Sequence, residues 1–338
     1  VVSIVGMVGL IFGTTAGLLV ARIGPRRAIV AALAAGAAMS ALQSLMPAYP
    51  LMLASRIIEG ASHLAIVVVG PTMIAALAPE DRRPLAMTLW SSFFGVTYTI
   101  LALIGPLVTP TGLFLGHAAY MAALAAILAL TLPPDPRHAQ APLGNLLRQH
   151  VEIYASPRIA APAMGFCCYT FLYVAILTLL PPETPEAYRA LIAAGMPLVS
   201  IAVSLTLGVR LLGRMSAVRL VQAGYAVAIP GFLLLWLFWG QGAGMVAGGF
   251  LLSAALGIVQ GASFASIPEL NARPEDRAAA AGAVAQLGNL GTTTGTPVLA
   301  ALLASAGPPG LAIAATLLCL TGIAVHQLQA RRRARRFG

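Results

Sequence analysis

Residues 17–27 read GLLVARIGPRR, where a long apolar segment ends in a short turn that carries three arginines. Residues 1–20 and residues 27–45, which flank this turn, are almost wholly apolar. A helix of about twenty apolar residues crosses the ~30 Å hydrocarbon layer of a membrane. The stretch therefore predicts two membrane-spanning helices joined by a short basic loop.

The composition extends this pattern to the whole chain of 338 residues, which is 59% hydrophobic and 9% charged. Soluble domains contain about 45–50% apolar and about 25% charged residues, so a water-soluble globule is excluded. Alanine, leucine and glycine fill the long runs, and the alternating segments that build membrane β-barrels are absent. The sequence therefore predicts an all-α polytopic membrane protein, whose helices satisfy their own backbone hydrogen bonds.

Apolar runs of spanning length occur eleven times, so we predict eleven transmembrane helices. They cover residues 1–20, 27–45, 50–77, 85–108, 113–132, 160–180, 188–212, 218–239, 242–268, 278–304 and 310–327.

The arginines lie in alternate loops between these runs. All twenty basic residues are arginine, and eighteen of them fall in the loops after odd-numbered spans or in the tail. Because positive loops stay on the cytoplasmic side, this placement predicts a cytoplasmic C-terminus and an outer N-terminus. The net charge of +10 is thus a topology signal rather than a sign of nucleic-acid binding.

The longest loop divides the chain. We predict an N-terminal helical bundle at residues 1–132, a cytoplasmic central loop at 133–158 with a short amphipathic piece, and a C-terminal bundle with a basic tail at 159–338. The tetrapeptide PEDR occurs at residues 79–82 and again at 274–277, after the third and the ninth span. If the two bundles have equal numbers of spans, one further span is expected upstream of residue 1.

The turn quoted above resembles the loop between helices two and three of the major facilitator superfamily, whose motif reads G-x-L-a-D-r-x-G-r-R/K. Matching positions are Gly17, Leu19, Arg22, Gly24 and Arg26. Ala21 stands where the family usually has aspartate. Residues 56–60, RIIEG, resemble the family's helix-four motif, and Gly105-Pro106 matches the centre of its helix-five antiporter motif.

The resemblance implies that the chain contains family helices two to twelve, arranged as two bundles. It also implies that the motif loop, with Gly17, Ala21, Arg22, Gly24 and Arg26, is a conformational switch. In the family the aspartate belongs to a charge network that latches the outward-facing state. With alanine at position 21, we expect a latch that is weaker or made by other groups.

Glycines at four-residue spacing mark close helix contacts. Gly9, Gly13 and Gly17 form two successive steps on the first span, and Gly291 and Gly295 form another on the tenth. Such spacing lets two backbones approach closely. The resemblance implies that family helices two and eleven meet between the bundles, where a smooth seam suits a rocking motion. Ordinary tight packing is the alternative.

Three ionisable residues share one face of the third span. Arg56, Glu59 and His63 are spaced at i, i+3 and i+7, and a charge at membrane depth usually marks a function or a paired interior site. We predict that Arg56 attracts an anionic group or sets the pKa of Glu59. We further predict that Glu59, or otherwise His63, carries a proton during the transport cycle. The alternative is an internal ion pair that only fixes the helix.

Aromatic and amide side chains supply the other candidates for solute binding. Tyr169 and Tyr173 continue an aromatic face with Phe166, although such stripes are often core packing. Gln260 and Asn289 lie on the two spans that flank the second PEDR, where amides bond to other helices or to a solute.

Together these features predict a secondary transporter that moves a small organic solute by alternating access. We expect protons to be the coupling ion. No nucleotide-binding or hydrolase motif occurs, and the cysteines lack metal-ligand spacing, so we expect no enzyme activity, no cofactor and no metal. The alternatives are an efflux antiporter of amphipathic compounds, a non-transporting sensor and a membrane-embedded enzyme. We expect a monomer among membrane lipids in the plasma membrane, the inner membrane of a bacterium.

Overall fold

The computed structural model describes residues 2–135 and 145–337. The described part is built from helices and contains no strand. The helices are α1 Val2–Ile23, α2 Pro25–Ser44, α3 Tyr49–Leu77, α4 Arg83–Ser91, α5 Phe93–Ile104, α6 Pro110–Thr131, α7 Leu146–Ala155, α8 Ala160–Glu183, α9 Glu186–Val203, α10 Val209–Leu212, α11 Ala217–Leu237, α12 Gly242–Leu270 and α13 Pro274–Phe337.

Local sequence explains many of the helix starts. Proline occupies the first turn of α2, α3, α4 and α6, where its missing N–H costs no hydrogen bond. Thr109, Asn145 and Ser216 cap α6, α7 and α11 by accepting a backbone N–H with their side-chain oxygens.

Eight helices in the described residues are long and apolar enough to cross a membrane. The predicted run 85–108 is divided into α4 and α5 at Ser92, and α9 passes through a π-helical turn at Ser204–Gly208 into α10. The last two predicted runs form one element, α13, which is interrupted at Gly307 by a left-handed φ of 64°. The all-α membrane fold is confirmed, whereas the count of eleven spans stays a prediction.

Two hydrophobic clusters form the cores of the two bundles. The smaller one joins α2, α3 and α6 around Leu33, Val68 and Met121. The larger one joins α8, α9, α11, α12 and α13 around buried residues such as Ile176 and Leu252. The division of the chain at residues 133–158 stays a prediction.

The contacts between the bundles include two seams of different composition. In the glycine seam, Gly13 and Gly17 of α1 lie against Ala278 and Gly282 of α13. A Cβ added at Gly282 would lie 2.5 Å from the carbonyl oxygen of Gly13, so the two backbones are in direct contact. Gly291 and Gly295 instead face the backbone of α8, within one bundle.

The second contact, the amide seam, joins Gln260 and Gly261 of α12 to Thr88 and Ser91 of α4. The Gln260 amide nitrogen donates a 2.5 Å hydrogen bond to the Ser91 carbonyl oxygen. A Cβ at Gly261 would lie 2.9 Å from the Thr88 methyl carbon and 2.6 Å from the Ser204 hydroxyl oxygen. This seam is therefore built from side chains rather than from two backbones.

Candidate functional site

A cavity lies between the bundles and receives side chains from α3, α5, α8, α12 and α13. It encloses about 870 Å³ of empty space, counting the part open to solvent. This volume falls within the 300–1,000 Å³ range of small-molecule sites. The lining residues are His63, Val67, Phe93, Phe94, Phe166, Tyr169, Thr170, Tyr173, Val174, Gln260, Phe264, Val284, Ala285, Gly288, Asn289 and Thr292.

Five of the seven residues predicted from sequence to bind solute or protons border this cavity. They are His63, Tyr169, Tyr173, Gln260 and Asn289. The imidazole of His63 is exposed to the open space, and the two amide side chains are partly exposed. The structure thus brings together residues from both bundles at one place.

Arg56 and Glu59 are not among the lining residues, although they share a helix face with His63. An Arg56 Nη1 donates to Glu59 Oε2 at 2.7 Å, and the side chains are 19% and 15% exposed. The buried Gln43 of α2 donates to the same carboxylate oxygen at 2.7 Å. The guanidinium also lies 5.3 Å from the ring centroid of Phe114. The pair is therefore held among α2, α3 and α6.

Aromatic rings form one wall of the cavity. The rings of Phe166 and Tyr169 stack with centroids 5.1 Å apart, and those of Tyr169 and Tyr173 stack at 5.3 Å. Phe264 meets Phe166 edge-on. Because Tyr169 and Tyr173 are 3% and 2% exposed, most of their ring surface packs within the protein. They shape the wall more than they offer surface to a solute.

Asn289 lies where the cavity meets the first helix. Its amide nitrogen donates a 2.7 Å hydrogen bond to the Ala285 carbonyl oxygen on the same helix. A Cβ added at Gly9 would lie 2.3 Å from that nitrogen, so only glycine leaves room for the amide there. Asn289 thus touches both the cavity and α1.

The helix α7 contacts both α1 and α13 on the predicted cytoplasmic side of the cavity. The Tyr154 hydroxyl donates to Gln286 Oε1 at 2.8 Å, and the Gln286 amide donates to the Leu10 carbonyl oxygen at 2.8 Å. Thr14 and His150 share a 2.7 Å hydrogen bond. Burial raises the pKa of the Tyr154 hydroxyl, which therefore stays protonated as a donor. Sequence periodicity predicted that this helix is amphipathic, but it did not indicate which residues the helix would contact.

The predicted switch loop is held by a residue that the sequence did not indicate. Gly24, at a φ of 97°, and the backbone N–H groups of Arg26 and Arg27 surround Asp135, whose oxygens accept both N–H groups at 2.9 Å. The Arg26 guanidinium donates to the Ala129 carbonyl oxygen at 2.5 Å.

The remaining switch residues lie along the end of α1. Gly17 belongs to the glycine seam, and Arg22 lies partly buried in the last turn of α1. The side chain of Ala21 lies outside the described residues. A carboxylate therefore does hold this loop, but it comes from residue 135 and not from residue 21.

Metal chemistry finds no support in the part of the chain that the structure describes. No group of three histidine, cysteine, aspartate or glutamate side chains converges there. The cysteines at 167, 168 and 319 are free thiols.

Comparison with known proteins identifies the class to which this fold and cavity belong. A family model described as Major Facilitator Superfamily matches residues 1–291. The chain therefore belongs to the major facilitator superfamily, as its loop motif predicted.

One curated relative is the inner membrane transport protein YajR of Escherichia coli (strain K12), with 28% identity over 194 residues. That match covers 55% of this chain and 42% of the relative, so it spans less than half of the relative's length.

Solved structures share the fold. The human organic anion transporter MFSD10 has a TM-score of 0.81 at 18% identity, over 96% of this chain and 82% of that one. The fucose:proton symporter FucP of E. coli has a TM-score of 0.75 at 18% identity, over 98% and 89%. Likeness at such identity shows the two-bundle fold alone.

Proposed function

We propose that this chain moves a small organic solute through the cavity between its bundles by alternating access, coupled to protons. The observation that carries the proposal is that His63 faces a cavity formed by side chains of both bundles. A solute held there contacts both bundles at once, so its binding can be linked to their relative movement.

His63 is the better placed of the two proton carriers that the sequence suggested. Its imidazole borders the open space, where it can exchange a proton with solvent or solute. The Glu59 carboxylate instead accepts hydrogen bonds from Arg56 and Gln43 and does not line the cavity. The Arg56–Glu59 pair then fixes α3 against α2 and supplies no net charge to the cavity.

The surroundings of the chain follow from the same proposal. We place it in the inner membrane of a bacterium, as the name of its relative YajR suggests, with its C-terminus in the cytoplasm. It acts there as a monomer among lipids, without a cofactor and without enzyme activity.

The test uses the full chain in proteoliposomes that contain a pH-sensitive dye. L-Fucose and an organic anion are suggested by the names of the structural neighbours, and an aromatic amine by the aromatic cavity wall. We expect at least one of L-fucose, 4-hydroxyphenylacetate and tyramine to accumulate under a pH gradient and to move protons, relative to empty liposomes. A panel in which no solute moves contradicts the proposed function.

The proton carrier is then identified with a matched pair of variants. His63→Gln is expected to lose accumulation driven by the pH gradient while solute exchange continues, because exchange requires no net protonation cycle. Glu59→Gln is expected to keep gradient-driven accumulation. The reverse pattern assigns the proton to Glu59 and overturns the role of His63.

A further inference from the structure

Three polar side chains that line the cavity, Gln260, Asn289 and Thr292, point their donor groups toward the protein itself. The amide nitrogens of Gln260 and Asn289 donate to the carbonyl oxygens of Ser91 and Ala285. An amide oxygen in either place would face a carbonyl oxygen and be repelled, so the orientation of each amide is set by its partner. The Thr292 hydroxyl likewise donates its one hydrogen, to the Gly288 carbonyl oxygen at 3.0 Å.

Apart from the His63 imidazole, these contacts leave oxygens as the polar groups available to a ligand. Within residues 2–135 and 145–337, the oxygens of the Gln260 and Asn289 amides and of the Thr292 hydroxyl accept no hydrogen bond. Thr170 also donates its hydroxyl hydrogen to backbone carbonyl oxygens of its own helix. A ligand that donates hydrogen bonds would satisfy these acceptors, whereas one that only accepts would leave them unsatisfied.

The charge distribution points in the same direction. No arginine, lysine, aspartate or glutamate occurs among the described lining residues, and His63 is the one titratable base there. The nearby Arg56 guanidinium is neutralised by Glu59 at 2.7 Å. Burying a carboxylate in a site without a strong cation or several donors is unfavourable, because the charge loses its hydration and gains no partner.

Aromatic faces add a preference for positive charge and for N–H groups. The rings of Phe93 and Phe94 are partly exposed at the cavity. The face of an aromatic ring is negative, so it attracts an ammonium group or stacks with another ring.

We infer that the cavity takes an aromatic solute that donates hydrogen bonds, of the arylalkylamine class, and rejects organic anions. The ring of the solute lies against Phe93 and Phe94, and its ammonium group donates to the oxygens of Gln260, Asn289 and Thr292. This inference rests on the proposed function, because it names the substrate class of the same cavity.

The test measures binding to the purified full chain with four compounds that share one phenol ring. Tyramine carries an ammonium group, tyrosol a hydroxyl, 4-hydroxyphenylacetate a carboxylate, and N,N,N-trimethyltyramine a cation without N–H donors. We expect tyramine to bind at least about tenfold more tightly than the carboxylate, with tyrosol between them. The trimethyl compound is expected to bind several-fold more weakly than tyramine.

A pair of isosteric variants links this selectivity to the site. Thr292→Val removes one acceptor that lines the cavity and is expected to weaken tyramine binding about fivefold, with little effect on the carboxylate. Thr293→Val changes the neighbouring residue, which is not among the lining residues, and is expected to leave both affinities unchanged.

Two results overturn the inference, and neither depends on transport. One is binding of 4-hydroxyphenylacetate as tight as that of tyramine; the other is a trimethyl compound that binds more tightly than tyramine. Proton-coupled movement of the carboxylate in proteoliposomes would support the proposed function and contradict only the substrate class. Selective binding of tyramine without any flux would support the substrate class and contradict the proposed function.

Discussion

The glycine seam and the amide seam join the same two bundles, the first through contacts between helix backbones and the second through side chains. At the glycine seam, an added Cβ on either Gly13 or Gly282 would meet a carbonyl oxygen of the opposite helix, at 2.7 and 2.5 Å. At the amide seam, an added Cβ on Gly261 would meet the side chains of Thr88 and Ser204. Backbone atoms in a helix cannot move alone, whereas side chains can rotate away.

Because of this difference, one added methyl group is expected to affect the two seams unequally. Both seams lie on the predicted cytoplasmic side of the cavity, and both must open if that side is to release a solute. The glycine seam is expected to tolerate no added volume, while the amide seam is expected to adjust. A common reporter for both is Cys167, a half-buried thiol on α8 beside Tyr154. Cys168→Ala and Cys319→Ala leave it as the one thiol of the chain.

The largest effect is expected from Gly282→Ala. Its methyl group would lie 2.5 Å from the Gly13 carbonyl oxygen, and overpacking of this kind costs about 1–3 kcal/mol. Because the cost falls on the closed seam, the balance should shift toward the open state by roughly 5- to 150-fold. We expect maleimide labelling of Cys167 in the purified protein to accelerate accordingly.

Gly116→Ala is the matched control for this substitution. No atom lies within 4 Å of a Cβ added at Gly116, in the middle of α6. The change should leave Cys167 labelling unaltered and stabilise the helix by up to about 1 kcal/mol. Equal labelling of Gly282→Ala and the parent protein would show that the glycine seam does not control access.

A smaller effect is expected from Gly261→Ala at the amide seam. The nearest atoms are a hydroxyl oxygen and a methyl carbon, which can move by rotation, so we expect labelling of Cys167 to rise about threefold or less, below 1 kcal/mol. Thr88→Ser removes the methyl group and keeps the hydroxyl that bonds to the Pro84 carbonyl oxygen. The double variant should return to the parent rate. A larger effect than that of Gly282→Ala would reverse the comparison.

Sequence reasoning predicted the fold and the glycine spacing well because both depend on local composition. Runs of apolar residues and four-residue glycine steps are properties of single segments. The resemblance of the first turn to a known family implied that family helices two and eleven meet, but the glycine step noted on the second of these helices was Gly291 and Gly295, which face α8. The position of Gly282 opposite Gly13 was missed because the two residues are far apart in the chain. The break between α4 and α5 was missed because no proline or charge marks Ser92.

Helical periodicity predicted less of the site. It placed Arg56, Glu59 and His63 on one side of α3 but not which neighbour that side meets. The buried Gln43 on α2 donates a hydrogen bond to Glu59 inside the N-terminal bundle, while His63, one turn further along α3, borders the cavity. Asp135 was missed for a related reason: its partners are backbone N–H groups, which carry no sequence signal.

The smallest of the three effects is expected from Tyr154→Phe, which tests whether the hydrogen bond from α7 stabilises the closed glycine seam. The hydroxyl of Tyr154 bonds to Gln286, whose amide bonds to Leu10 on the opposite side of the seam. Loss of one such hydrogen bond costs about 1 kcal/mol, or roughly fivefold in an equilibrium at most. Because phenylalanine keeps the ring and the lost hydrogen bond is only partly buried, so that water can replace part of it, we expect labelling of Cys167 to rise less than about twofold. Tyr120→Phe, at a 64% exposed position on α6, should have no effect. An unchanged rate in Tyr154→Phe would mean that α7 covers the seam without holding it closed, and that the glycine contacts alone set the balance.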